Sequence, residues 1–209
     1  MIELSKGGRI NLSKDKDGNS FDKIFFGSNW GAIRKRGMFG FTSGIESVDL
    51  DSSVVLLDAD GKHVDTVYYG HKDAQGIHHY GDDLTGDKNG DDGMDNETIE
   101  LTLSKISPEV EHVFFVLNSF QHHKFDEIPY MGLRIYTSPN NKPKKNISDP
   151  VNILASYSLK DNKEELKGKE SIILGEAYRR NGEWKFKAIG EFGNLTTIRQ
   201  FPDACKQLI

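Results

Sequence analysis

Val48-Asp49-Leu50-Asp51-Ser52-Ser53-Val54-Val55-Leu56-Leu57 is rich in β-branched and apolar residues and reads as a strand over 48–57. Alternation through its first five residues puts Asp49 and Asp51 on one face, about 7 Å apart by strand geometry. Segments of the same character recur at 10–12, 23–26, 64–69, 98–103, 112–118, 133–137, 153–159, 171–179 and 184–189. Together they exceed the needs of one open sheet. Asp60-Gly61 and Asn181-Gly182 supply tight-turn chemistry between runs that can pair as hairpins, and Asp17-Gly18-Asn19 marks another turn. No regular alternation of strands with long amphipathic helices occurs, which disfavours a doubly wound α/β fold. The expected fold is all-β, a β-sandwich of two mainly antiparallel sheets with short peripheral helices.

The best helical candidate is the tail, where Leu195, Ile198, Ala204, Cys205 and Leu208 have roughly helical spacing and Pro202 interrupts or begins a turn. Residues 138–150, with three prolines and three lysines, read as an exposed loop. The chain of 209 residues fits one domain spanning 1–209, large enough for a hydrophobic core without disulfides. Apolar residues make up 36% and charged residues 28%, the balance of a soluble globular protein. The longest apolar runs, such as 113–117, are too short to span a bilayer, and the first residues lack a secretory core. A cytoplasmic location with no transmembrane segment is expected. Cys205, the only cysteine, cannot form an internal disulfide and reads as a small buried hydrophobe.

The net charge of −5 is concentrated. Residues 82–97 hold six Asp, one Glu and one Lys, a local charge of −6, so the remaining 193 residues carry only +1. Such a loop repels phosphate and excludes nucleic acid as its partner. Its seven carboxylates repel one another unless a cation neutralises them. Calcium takes six to eight oxygens from carboxylates, amides, backbone carbonyls and water, all of which this loop offers. Gly81, Gly86, Gly90 and Gly93 let the backbone fold back and aim those oxygens at one point. Magnesium demands stricter octahedral geometry and keeps more water, and zinc prefers nitrogen and sulfur. The candidate calcium ligands are Asp82, Asp83, Thr85, Gly86, Asp87, Asn89, Asp91, Asp92, Asp95 and Glu97, with Asp49 and Asp51 completing the site from the neighbouring strand.

The EF-hand frame fails here. Asp87, Asn89 and Asp91 fit its first ligand positions, but the sixth is Asp92 instead of Gly and the twelfth is Thr98 instead of Glu. The segment Asp15-Lys16-Asp17-Gly18-Asn19 fails similarly and reads as a solvated turn. Two other chemistries compete with calcium. A hydrolase would draw on Asp49 with Asp51 or Asp82 with Asp83 as acid and base, yet no substrate cleft or nucleophile motif accompanies them. A transition-metal site would draw on His78-His79 and His122-His123, with His71 and His112, but adjacent histidines on a strand face opposite ways.

Gly81-Asp82-Asp83-Leu84-Thr85-Gly86, then Gly90-Asp91-Asp92, then Glu97 opening a strand, resembles the signature loop of the TerD family of tellurite-resistance and stress-response proteins. Leu4-Ser5-Lys6-Gly7-Gly8, the 48–53 run leading to Leu56-Leu57-Asp58, and Gly175-Glu176-Ala177-Tyr178-Arg179-Arg180 before Gly182-Glu183-Trp184 agree in order. The resemblance implies a bacterial β-sandwich with calcium at the acidic loop and no enzymatic activity. It also implies a binding or scaffold role beside other proteins of a tellurite-resistance system, including a membrane-embedded partner at the inner membrane face. Three departures stand out. Asn29-Trp30-Gly31 replaces the family's frequent Gly-Trp-Asp, the basic and apolar residues 32–41 read as an inserted loop, and Gly93-Met94-Asp95-Asn96 lengthens the acidic loop.

Overall fold

Two sheets carry the chain in a computed structural model that describes residues 1–15, 17–36, 42–159 and 163–209. The first sheet runs in the order β1 (Ile2–Glu3), β13 (Asn152–Ser158), β12 (Met131–Thr137), β3 (Lys23–Trp30), β10 (Glu97–Thr102), β9 (Ile77–His79) and β8 (Asp73–Ala74). The second runs β2 (Arg9–Asn11), β15 (Glu183–Gly193), β14 (Ser171–Arg180), β11 (His112–Ser119), β6 (Leu50–Leu57) and β7 (His63–Val67). Among the described residues, the ladders within both sheets are antiparallel except for β1 with β13. Apolar side chains that alternate inward from both sheets meet in one core. Phe26 of β3 stacks on Phe115 of β11 with ring centroids 3.8 Å apart, and Phe186 of β15 packs against both.

All ten sequence-predicted strands are present, and the turn chemistry explains two of their connections. Asn181 and Gly182 both have positive φ, 55° and 76°, the requirement of the tight hairpin that joins β14 to β15. Gly61, at φ 74°, turns the chain between β6 and β7 while the Asp58 carboxylate accepts the backbone N–H groups of Asp60 and Lys62. The Asp15 carboxylate likewise accepts from the backbone of Asp17 and Asn19, the solvated turn expected there.

The expected inserted loop at 32–41 is corrected in part. Ile33–Arg36 and Thr42–Glu46 form an antiparallel hairpin, β4 and β5, outside the two large sheets. A run of three consecutive cations hides strand character because neither face is apolar. Lys35 of β4 reaches Glu46 of β5 at 3.1 Å. Met38, Phe39 and Phe41 lie outside the described residues.

The uninterrupted apolar end of β6 has a physical cause, since both of its faces are covered. Val54 and Leu56 join the inter-sheet core. Val55 and Leu57 point outward and pack with Phe114, Val116, Ile173 and Ile189 beneath Phe201 and Cys205 of helix α2 (Phe201–Lys206). Pro202 sits in the first turn of α2, where its missing N–H has no helical partner to lose. Burial, and next the charge of Glu176, push the Cys205 thiol up to about 12, so it behaves as a small hydrophobe. Residues 138–150 form no strand or helix, and Lys144 from this loop donates to the carbonyl of Gly93 at 2.8 Å.

Phe201 is fully buried under this outer layer, so Phe201→Ala is expected to cost about 3–5 kcal/mol, read as a lower denaturation midpoint. A loss below about 1 kcal/mol would show that α2 is not docked as described.

Candidate metal centre

Trp30, at the end of β3, is the pillar on which the acidic loop is built. It is fully buried, its indole N–H donates to the carbonyl of Val48 at 2.8 Å, and its backbone N–H donates to Asn96 Oδ1 at 2.8 Å. Its carbonyl accepts from Asp87 N at 3.0 Å. Gly86, at φ 66°, lies so close that a Cβ there would come 2.8 Å from the indole ring. The two limbs of the loop are thereby fastened to β3 and to the approach to β6.

Asp83 organises the loop from within. Its Oδ1 accepts from the backbone N–H and hydroxyl of Thr85 and from Gly86 N, and its Oδ2 accepts from Asn96 Nδ2. Burial raises its pKa, but these donors outweigh it and hold the group below the ordinary carboxylate range. Thr85 in turn accepts at its carbonyl from Val48 N, 2.9 Å away.

Glu97 ties the loop to both sheets. Standing at the start of β10 and 2% exposed, it accepts from Ser52 N of β6 at 2.7 Å and from Asp83 N at 3.3 Å. His79 Nε2 lies 3.6 Å from Glu97 Oε2 and 3.1 Å from the carbonyl of Ser52. Because His79 Nδ1 accepts from Gly81 N, the ring hydrogen belongs on Nε2, facing both oxygens. Burial pushes the Glu97 pKa up, countered by His79 and Ser52.

Asp95 is matched by a cation of the protein itself. Its carboxylate accepts from Arg134 Nε of β12 at 2.7 Å, and Arg134 also bonds the carbonyl of Met94. This pair presses on β3, where a Cβ at Gly27 would come 2.0 Å from Asp95 Cγ.

Two groups of acids cluster beside these structural networks, the second tied to them through Asp87, whose Oδ1 accepts from Asn96 Nδ2 at 3.4 Å. Asp49, Asp51 and Asp82 each offer an oxygen within 4.8 Å of the others, and so do Asp87, Asp91 and Asp92. In the first group Asp49 and Asp51 are 4% and 7% exposed, and Asp49 Oδ1 is buried with no hydrogen-bond partner. Asp51 Oδ2 accepts only a 3.2 Å contact from Asn118 Nδ2. Burial, then the charges of Glu97, Asp49 and Asp82, raise the Asp51 pKa to about 7. Burial, then Asp82 and Asp83, raise that of Asp49 as well.

The second group lies at the loop tip and is more open. Asp87 Oδ2 accepts from the Tyr130 hydroxyl at 2.7 Å, while Asp91 and Asp92 accept from the backbone of Gly93 and Met94. Gly31 is backed by Pro129 and Tyr130, whose atoms would lie 2.7 Å from a Cβ, so a side chain there would have to displace them. Asn89 is exposed beside this tip.

Oxygens that share one calcium at roughly 2.3–2.6 Å can stand up to about 5 Å apart, so either group can reach a single ion. An orphaned buried carboxylate oxygen and all-oxygen donor sets fit a hard divalent cation. Among the described residues no such cluster includes histidine. His71, His78, His112, His122 and His123 each face a carboxylate, and His63 faces Thr66. Sequence reading missed Trp30, His79, Asn96 and Tyr130 as organisers of the loop. Only His79 left a usable signal, since alternation in a strand sends one of two adjacent histidines inward.

The sandwich and its acid-lined loop define a class of β-protein. A solved homologue of the telluride resistance protein TerD from Streptomyces coelicolor A3(2) has the same fold, with a TM-score of 0.62 at 16% identity over 87% of this chain and 95% of that one. The TerD domain profile matches residues 1–200, and the chain belongs to this family. It is 30% identical to the tellurium resistance protein TerZ of Serratia marcescens, covering 95% of this chain and 93% of that protein. It is 33% identical to the stress response protein SCP2 of Bacillus subtilis, covering 94% and 95%. These relatives are named for resistance and stress response and not for an enzymatic reaction. No described helix is long and apolar enough to cross a membrane.

Asp51 generates a pH prediction for the chelator-treated protein. With a folded value near 7 against an ordinary 3.8, it retains its proton in the fold while the unfolded chain loses it. Its penalty is absent below pH 4, grows as pH rises, and is complete above about 7. Relative to wild type, Asp51→Asn should therefore gain up to about 4 kcal/mol between those limits. Denaturation curves in chelator at pH 4.5 and pH 8 check it, and an unchanged difference would refute the assignment.

Proposed function

We propose that the chain binds calcium at Asp49, Asp51 and Asp82, with Asp87, Asp91 and Asp92 as a second, weaker site. In this reading it serves a bacterial stress or tellurite response as a non-enzymatic binding or scaffold module. The observation that carries the reading is the buried, unpartnered Asp49 Oδ1 beside two further carboxylates. Carboxylates brought so close in a partly dry site repel one another and favour protonation, and a divalent cation removes both costs. Asp83, Asp95 and Glu97 take a different role here. They are bound by loop donors, Arg134 and Ser52 respectively, and they hold the loop in shape for the others.

The scaffold role is part of the same proposal, and one feature of the loop agrees with it. Asp83 is held on several sides by its own loop and is not free to act as a general acid or base beside Asp82. The names of the relatives go no further than resistance and stress response, and the reading extends this to partners among the other proteins of such a system, a membrane-embedded one included, with the chain acting at the cytoplasmic side of the inner membrane. Calcium would then set the shape and charge of the loop that those partners meet.

Calcium, magnesium, zinc and nickel are titrated into chelator-stripped protein while thermal stability is followed. A ligand bound only by the native state raises stability with concentration, by about 2.7 kcal/mol at one hundred times its dissociation constant. Calcium is expected to do so selectively, and Asp49→Asn to weaken the response at least tenfold. No shift at millimolar calcium would refute the reading, and a selective response to nickel or zinc would replace it with a histidine-based one.

A further inference from the structure

Beside Asp51, on the outer face of the second sheet, the structure contains a cavity of about 220 Å³, and Asp51 is the one lining residue that the calcium reading uses. Its floor is made by Asp51 and Ser53 of β6 and Asn118 of β11. Tyr68 and Tyr69 close one side and Phe120 another, while the strand-to-helix segment before α2 closes the rest through Thr196, Thr197 and Ile198. We propose that this cavity receives the guanidinium of a single arginine side chain from a partner protein.

Four features support that occupant. The floor is acidic, with Asp49 and Asp82 within 4.8 Å of Asp51 in oxygen-to-oxygen terms. Ser53, which is 1% exposed, presents there a hydroxyl oxygen that has no hydrogen-bond partner. A buried hydroxyl without a partner costs free energy, and an N–H donor from outside would satisfy it.

The walls are aromatic and partly open. Tyr68 and Tyr69 meet edge to face with centroids 5.5 Å apart, and Tyr69 and Phe120 remain 37% and 58% exposed. Aromatic faces over an acidic floor attract cations, and a planar guanidinium both stacks on rings and forks its donors toward a carboxylate. The field of the acids does reach this wall, because burial and then the charges of Asp51 and Asp82 raise the Tyr69 hydroxyl pKa.

Size decides between a side chain and a larger ligand. Ordinary small-molecule sites enclose about 300–1,000 Å³, so 220 Å³ fits the end of one long side chain. The exposed rings at the mouth supply apolar surface that a protein partner covers and a free small amine leaves wet. The inference goes beyond the calcium reading, and because its floor shares Asp51 with that site, a bound ion weakens the arginine contact by offsetting the floor's charge.

The test is a titration of the full chain with Nα-acetylarginine methylamide, followed by backbone amide chemical shifts in chelator and in saturating calcium. The citrulline analogue, nearly the same shape without charge, is the control, and spermidine represents a free polyamine. Saturable shifts confined to Ser53, Tyr69, Asn118, Phe120 and Thr197 are expected for the arginine probe in at least one calcium state. Phe120→Ala, which removes an exposed ring, should weaken that binding about fivefold. Ser53→Ala should weaken it without lowering stability, since its hydroxyl has no partner to lose, and both variants should titrate calcium as wild type does. Equal binding of citrulline, tighter binding of spermidine, no response in either calcium state, or indifference to both variants would each overturn the proposal. A calcium response that vanishes while arginine binding persists would refute the calcium reading alone.

Discussion

A carboxylate buried between two sheets is costly unless it is hydrogen-bonded, and Glu97 meets that condition with two separate parts of the chain while a histidine from a third stands beside it. Ser52 N comes from the second sheet, Asp83 N from the acidic loop, and His79 from the neighbouring strand of the first sheet. Ser52 donates where β6 has no paired residue of β7 beside it, because that ladder begins at Val54 with Val67. The bond therefore completes a strand end and joins the sheets at the same point. Together with the bonds of Trp30 and Thr85 to Val48, this junction places Asp49 and Asp51 opposite the loop.

The acids then separate by what surrounds them. Asp83 collects donors from Thr85, Gly86 and Asn96, and Asp95 is paired with Arg134, although burial still raises the Asp95 pKa and its Oδ2 is left without a partner. Asp49, Asp51 and Asp82 have almost no such compensation, and burial lifts the first two toward the neutral form. Donors from the Asn96 side chain, Thr85 and the loop backbone outweigh desolvation at Asp83, whereas at Asp51 desolvation and like charge win. Structural acids and candidate ligand acids thus lie side by side in sequence and differ only in their neighbours.

One face of the second sheet serves two ends. Val55 and Leu57 lie under α2, while Asp51 and Ser53, on the same face of the same strand, open into the aromatic cavity. The segment that leads into α2 contributes Thr196, Thr197 and Ile198 to the cavity wall, and Ile198 also packs on the outer apolar cluster. Docking of the terminal helix therefore shapes the pocket next to the acids, although no residue of the helix itself lines it.

Much of the fold was legible in the sequence because local rules produce it. Strand character at ten segments, the Asn181-Gly182 turn and the burial of Cys205 follow from side-chain shape and backbone preference alone. The density of acids and glycines over 82–97 likewise marked the loop at which two groups of carboxylates gather. The short strands β1, β4, β5, β8 and β9 were not legible, since two to five residues leave no alternation to read and pairing decides them. Tertiary structure alone decided that Asp83, Asp95 and Glu97 hold the loop while Asp49, Asp51 and Asp82 are left facing one another. Sequence states how many carboxylates there are, but the donors that neutralise each one come from Ser52, Asn96 and Arg134, and only folding sets those distances.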